Sequence, residues 1–435
     1  MEKSRLERGL VWQEGHGSRR LTGSGSDDAF HVMTKPIGPI CNLDCKYCYY
    51  LEKERLYPAG ENFRMRDEVL EAYIRQYIEG QGAAPEVQFA WQGGEPTLMG
   101  VAFFRRLVEL QKKYGAGRVI RNALQTNGTL LNDEWGEFFS ENGFLIGLSI
   151  DGPARLHDAY RLTKRGGGSY EKVLGGLRVL KKHGVEFNTL TVVNRLNSRK
   201  PKEVYRFLRD IGSGYIQFIP LVERVADKEA TGLGLGLAVP PGVGGDDGGA
   251  RLPVTGWSVE PGQYGKFLCE VFDEWVERDV GRVFVQIFDV TLSNWVGAGG
   301  GLCVFSEKCG RALAMEHNGD VYSCDHYVYP KYRLGNIMNQ GLAEMVRSEF
   351  QRAFGEAKKL SLPGYCLRCD VRHLCHGECP KHRFLKAPDG EPGLNYLCAA
   401  YKAFFTHSRP LMLEMVRLLR AGRAPAEVMR MARER

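Results

Sequence analysis

Cys41-Asn42-Leu43-Asp44-Cys45-Lys46-Tyr47-Cys48 gathers three thiols into one short loop. A four-iron cluster or a zinc site normally takes four protein ligands, and the next cysteine in the chain is Cys269. The spacing therefore predicts a cluster with one iron left open, free to bind a substrate or cofactor directly. A partial zinc site completed by one of the ten histidines is the alternative at this point.

Outward from this loop, short apolar runs alternate with longer segments of helical period, the pattern of βα units building a parallel sheet. The runs are Val87 to Trp91, Val119 to Gln125, Phe144 to Ile150, Val185 to Val193 and Tyr215 to Leu221, with a further strand expected just before Cys41. Between that first strand and Val87, Asp67 to Gly80 carries Val69, Leu70, Tyr73, Ile74, Tyr77 and Ile78 at helical spacing, a core-packing stripe. About six units are too few for a closed eight-stranded barrel, so the expected fold is α/β, a partial (β/α)6 TIM-type barrel that stays open. A helix is expected from about Ser258 to Asp279, with Cys269 off its apolar stripe as a spare thiol.

The 435 residues, 43% of them hydrophobic, can bury a large core. Twelve cysteines in a long chain without a recognisable signal segment point to a reduced, cytoplasmic protein. No run of eighteen apolar residues predicts a membrane span. The net charge of +7 is spread among acidic residues, so nucleic acid is not the implied partner.

In parallel α/β folds functional groups collect in the loops after the strands. The second strand ends in Gln92-Gly93-Gly94-Glu95-Pro96, where glycines let the backbone approach a ligand and Glu95 can face an ammonium group. Downstream lie Cys303, Cys309 and Cys324, then Cys366, Cys369, Cys375 and Cys379, and finally Cys398. Eight thiolates suffice for two further clusters or for two zinc sites, and counting alone does not choose between them.

These features resemble the radical S-adenosylmethionine superfamily. The resemblance implies that the open iron at Cys41, Cys45 and Cys48 binds the methionine part of S-adenosylmethionine, that Tyr47 lies beside the adenine, and that Gly93, Gly94 and Glu95 hold the amino group. It also assigns polar contacts to Ser149 and Arg161, and an apolar contact with the adenine to Leu221. Gly319-x4-Cys324 and the interleaved spacing after it resemble the SPASM extension, a cysteine-rich C-terminal domain binding two auxiliary clusters. By that resemblance Cys303, Cys309, Cys324 and Cys379 hold the nearer [4Fe-4S] cluster and Cys366, Cys369, Cys375 and Cys398 the outer one, three clusters in all.

Within that group the chain is similar, from about Thr34 to about Pro410, to the anaerobic sulfatase-maturating enzymes. The match includes Trp91 to Thr97, Leu124 to Thr129, Leu148 to Pro153, Tyr322 to Asp325, Arg333 to Ile337 and Leu394 to Cys398. It departs at Glu378, where a glycine is expected, and over residues 1–30. The domains implied are 1–30, a disordered extension; 31–225, the radical S-adenosylmethionine barrel; 226–256, a glycine-rich mobile loop; 257–302, a connecting helical region; 303–400, the SPASM domain; and 401–435, a C-terminal helix, basic and amphipathic from 411 and expected to be simply a solvated terminal helix.

The activity implied is oxidation, without oxygen, of one cysteine or serine of a sulfatase to Cα-formylglycine through a 5′-deoxyadenosyl radical that abstracts hydrogen at the β-carbon. Asp325 is the expected base, with His326 second. The partners implied are an unfolded or extended sulfatase segment of the form Cys/Ser-x-Pro-x-Arg, met by acidic groups at the barrel mouth, and an electron donor such as flavodoxin or ferredoxin. Another SPASM enzyme modifying a ribosomal peptide is the alternative. A ferredoxin-type electron carrier explains the clusters alone, and a zinc-stabilised interaction module only the cysteines.

Overall fold

Each apolar run becomes one strand of a ten-stranded sheet in the computed structural model, which describes residues 29–242, 253–299 and 301–434. The strands are β1 His31–Lys35, β2 Glu86–Trp91, β3 Val119–Thr126, β4 Leu145–Ser149, β5 Phe187–Val193, β6 Tyr215–Pro220, β7 Phe284–Val285, β8 Ala312–Glu316, β9 Asp320–Tyr322 and β10 Arg333–Asn336. Strands β1 to β7 lie side by side in chain order and pair in parallel. Right-handed crossovers between strands in sequential order place the connecting helices on one face, which curls the sheet towards a barrel. This is the partial barrel expected. Residues 1–28, with most of the expected N-terminal extension, and 243–252 lie outside the described residues.

The helix Asp67–Gly80 buries all six residues of its stripe, and Pro261–Arg278 buries Tyr264, Phe267, Leu268, Val271, Phe272, Trp275 and Val276. The second begins at Pro261, whose fixed φ and missing N–H suit a first helical position. Cys269 lies on this helix, half-buried, and packs beside the core.

Sequence patterning did not reveal what closes the first edge of the sheet. β8 pairs in parallel with β1 along its whole length, Val32 against Leu313 and Lys35 against Glu316, and β9 and β10 continue antiparallel. The cysteine-rich part of the chain is thus joined to the barrel by backbone hydrogen bonds.

Two expectations are corrected. The glycine-rich stretch is not a free surface loop in its described parts. Asp227 caps the short helix Lys228–Gly232, and Ala230, Leu235 and Val239 are buried against Tyr327, Tyr329, Tyr332 and Phe354. These apolar residues among the glycines fix a cover over the segment carrying Asp325. The C-terminal helix, Cys398–Arg420, is not merely solvated either. Tyr401, Phe404, Phe405, Leu411, Met412 and Met415 share one apolar cluster with Pro261–Arg278, each fully buried large side chain contributing roughly 1.5–3 kcal/mol. Among the described residues no helix is long and apolar enough to cross a membrane.

Candidate active site

The three-cysteine loop lies across the C-terminal ends of β1, β2 and β3. Gly94 N–H donates to the Gly38 carbonyl at 2.8 Å and Glu95 N–H to the Ile40 carbonyl at 2.9 Å, so the turn after β2 is zipped to the residues just before Cys41. A Cβ on Gly94 would stand 2.0 Å from the Ile40 carbonyl oxygen. Glycine is needed here for contact between two backbones, a requirement separate from the ligand approach expected of it. Gly93, at φ 130°, needs glycine for its conformation.

Glu95 is fully buried. One carboxylate oxygen accepts from Thr97 N–H (3.0 Å), Thr97 Oγ1 (2.6 Å) and Thr126 Oγ1 (2.8 Å), and the other from Asn127 N–H (2.7 Å). Burial pushes its pKa up, against these hydrogen bonds. Its first task is thus to tie the ends of β2 and β3 together beneath Cys41. Asn127 completes the tie, with its Nδ2 3.7 Å from Cys41 Sγ.

Tyr47 and Arg161 meet at the end of β4, on a residue that spacing did not single out. Asp151, fully buried, accepts from the Tyr47 hydroxyl at 2.5 Å and from Val192 N–H at 3.0 Å, and pairs with Arg161 Nε at 3.1 Å. The Arg161 guanidinium stands 5.7 Å from the Tyr47 ring centre. Ser149 Oγ accepts from Gln125 Nε2 at 2.9 Å, and Leu221 is buried at the end of β6. Removing one partner of a buried ion pair leaves the other charge uncompensated. Arg161→Met is accordingly expected to cost about 3–5 kcal/mol in urea unfolding, and Arg161→Met with Asp151→Asn much less. Equal losses in the two proteins would show that the pair is not what holds this corner.

Asp325 follows Cys324 at the end of β9 and reaches back to the first cysteine loop. One oxygen accepts from the Tyr49 hydroxyl at 2.6 Å, and the other pairs with Lys35 Nζ at the end of β1. Burial would raise its pKa, but the Lys35 ammonium and then His326 draw it down to about 2, so it is an ionised carboxylate. Lys35, 2% exposed, also sits 3.5 Å above the Tyr50 ring, whose hydroxyl donates to buried Glu316. His326, the second candidate base, packs its ring edge-on to Tyr49 with centroids 5.8 Å apart and its Nδ1 3.7 Å from Cys379 Sγ, and burial lowers its pKa to about 3. Three carboxylates in this region are each paired: Asp325 with Lys35, Glu316 with Tyr50, and Glu223 with Lys381.

The C-terminal thiols fall into two groups. Cys303, Cys309, Cys324 and Cys379 are close enough to perturb one another's ionisation, as are Cys366, Cys369, Cys375 and Cys398. Among the described residues no three His, Cys, Asp or Glu side chains converge on a single metal ion. Burial pushes Cys41, Cys45 and Cys375 up to about 12 and raises Cys303, Cys309, Cys324, Cys366, Cys379 and Cys398 as well, so metal binding there must displace their protons. Buried Lys358 offsets that burden at the inner set, its ammonium donating to the carbonyls of Cys303, Val304 and Ser306.

Comparison with known proteins gives consistent matches. Residues 36–208 match the family model described as the Radical SAM superfamily, and residues 303–370 match SPASM, described as an iron-sulfur cluster-binding domain. A protein of Bacteroides thetaiotaomicron named serine-type anaerobic sulfatase-maturating enzyme is 50% identical over 400 residues, 92% of this chain and 94% of that one. A cysteine-type anaerobic sulfatase-maturating enzyme of Clostridium perfringens is 33% identical over 388 residues, 88% of this chain and 97% of that one. A solved structure of native anSMEcpe with bound AdoMet and Cp18Cys peptide has a TM-score of 0.76 at 32% identity, covering 89% of this chain and 98% of that one.

Proposed function

Because the chain belongs to the anaerobic sulfatase-maturating enzymes, radical S-adenosylmethionine oxidoreductases carrying a SPASM domain, we propose that it oxidises one serine or cysteine of a sulfatase to Cα-formylglycine. Serine is put first, since the 50% identical relative is named serine-type. Cys41, Cys45 and Cys48 would hold a cluster beside which bound S-adenosylmethionine would supply the 5′-deoxyadenosyl radical for hydrogen abstraction at the target's β-carbon. Two auxiliary [4Fe-4S] clusters are assigned to Cys303, Cys309, Cys324 and Cys379, and to Cys366, Cys369, Cys375 and Cys398.

The protein's own groups then have distinct tasks. Gly93, Gly94 and Glu95 shape the turn that receives the methionine end of the cofactor. Tyr47, Ser149, Arg161 and Leu221 line the adenosine end, where Asp151 fixes Tyr47 and Arg161 in place. Asp325 takes the target's hydroxyl or thiol proton, the second electron being one that an auxiliary cluster on Cys303, Cys309, Cys324 and Cys379 would accept, and Lys35 and Tyr49 hold its carboxylate ionised and aimed.

The observation that carries this reading is the bond from Tyr49 to Asp325. It links the residue after Cys48 to the residue after Cys324, so the proposed base stands between the radical site and the first auxiliary site.

The client enters as an extended Cys/Ser-x-Pro-x-Arg segment, before the sulfatase has folded. That step, and a cysteine-rich chain whose thiols are assigned to clusters, fit a reducing cytoplasm with flavodoxin or ferredoxin as donor. The test uses anaerobically reconstituted protein with dithionite, S-adenosylmethionine and peptides bearing Ser-x-Pro-x-Arg or Cys-x-Pro-x-Arg. Mass spectrometry is expected to find the aldehyde at the target residue together with 5′-deoxyadenosine, the serine peptide reacting faster. 5′-Deoxyadenosine without any peptide change would reject the sulfatase client and favour modification of another ribosomal peptide.

A further inference from the structure

Cys375 and Cys379, one from each auxiliary set, are joined by three residues of positive φ: His376 at 46°, Gly377 at 71° and Glu378 at 53°. A side chain in this left-handed region costs roughly 1–2 kcal/mol, and such residues ordinarily occur singly. A run of three persists only where its surroundings impose it. Buried Arg383 does so, donating to the carbonyls of His376 (2.9 Å), Gly377 (2.9 Å) and Glu378 (3.1 Å), with another bond to the Lys358 carbonyl (2.6 Å).

Glycine would adopt the backbone of residue 378 without strain, yet glutamate is there. Its side chain must therefore return more than the conformation costs. The Glu378 carboxylate is buried, accepts from Asn395 Nδ2 at 2.6 Å and lies 3.0 Å from His382 Nδ1. Glu378 lies in the three-residue link between the two sets, directly before Cys379 of the inner one and three residues after Cys375 of the outer one. Buried Arg383 and Lys358 share this wall, Arg383 donating to the carbonyls of both Glu378 and Lys358.

We propose that Glu378 is a positioning residue that fixes one negative charge between the two auxiliary iron–sulfur sites and lowers their reduction potentials below what the thiolates alone would set. The proposal rests on the two-cluster reading above. Fixed charge near a cluster, like hydrogen bonds to its sulfurs, is an established lever on potential.

The test is a redox titration followed by electron paramagnetic resonance on the full chain carrying Cys41→Ala, Cys45→Ala and Cys48→Ala, so that the auxiliary signals are read alone. Iron and sulfide are measured in parallel. Glu378→Gln is expected to keep its iron and to move at least one auxiliary midpoint to a more positive value, and Glu378→Gly to move it in the same direction. Unmoved midpoints at full iron content overturn the proposal. If Glu378→Gln loses iron, Glu378→Asp, which keeps the charge, is read in its place, and iron retained at the parental midpoints supports the proposal. Loss from both variants overturns it in favour of a purely structural turn. Zinc without sulfide in the parent protein overturns the two-cluster reading itself, a result distinct from unmoved midpoints.

Discussion

Asp325→Asn is expected to leave 5′-deoxyadenosine formation in place while lowering aldehyde yield on the peptide by roughly 10²–10⁴-fold, the range typical of a lost general base. The amide can still accept from Tyr49 but cannot take up the substrate's proton. It also strands Lys35, which is 2% exposed and paired with this carboxylate. An unpaired buried cation costs about 3–5 kcal/mol, so lost activity could be confused with lost folding. Lys35→Met together with Asp325→Asn separates the two, restoring the urea midpoint while the peptide stays unoxidised. Peptide oxidation by Asp325→Asn at the parental rate would remove Asp325 from the mechanism and leave His326 as the nearest alternative.

The second large effect is expected from one methyl group. Gly94→Ala places a Cβ 2.0 Å from the Ile40 oxygen, 2.4 Å from the Ile40 carbonyl carbon and 2.7 Å from the Pro39 oxygen, all of them backbone. No rotamer can relieve that. Overpacking typically costs about 1–3 kcal/mol, and here the cheapest escape is to lift the cysteine loop away, breaking its bonds from Gly94 and Glu95. The variant should lose the iron bound at Cys41, Cys45 and Cys48, and with it all cleavage of S-adenosylmethionine, while the auxiliary iron remains. Gly175→Ala is the control. It lies on the helix Tyr170–Lys182, where its Cβ would meet only Arg178 Nη2 at 3.8 Å. Full iron in Gly94→Ala would mean that the loop tolerates displacement.

Strands β1 to β6 and the six-residue stripe of Asp67–Gly80 were legible because local periodicity encodes burial, and the cysteines because ligand spacing is local within each group. Asp325 was legible through its neighbour Cys324. What surrounds it was not. Tyr49 and Asp325 are 276 residues apart and Tyr47 and Asp151 are 104 apart, so nothing in either local sequence announces the other. Lys35 reads as an ordinary charge at a strand end, and only β8 lying beside β1 turns it into the partner of Asp325. The glycine-rich stretch was misjudged because composition counts its glycines and overlooks the few apolar residues that anchor it. Glu378 could be flagged from sequence only as an unexpected residue, since its left-handed backbone and its two polar partners are tertiary facts.

The pairing of β1 with β8 also governs how the molecule can be made. Val32 and Leu313 are register partners about 280 residues apart, a separation that makes this contact late and slow to form. A nascent chain emerging from the ribosome therefore completes its first three-cysteine loop and all of β1 to β6 while one border of the sheet is still bare. An open border recruits other strands, so synthesis passes through an interval of vulnerability to self-association. Lys35 spends that interval without its carboxylate, and the proposed base is joined to the radical site only when the last third of the polypeptide arrives.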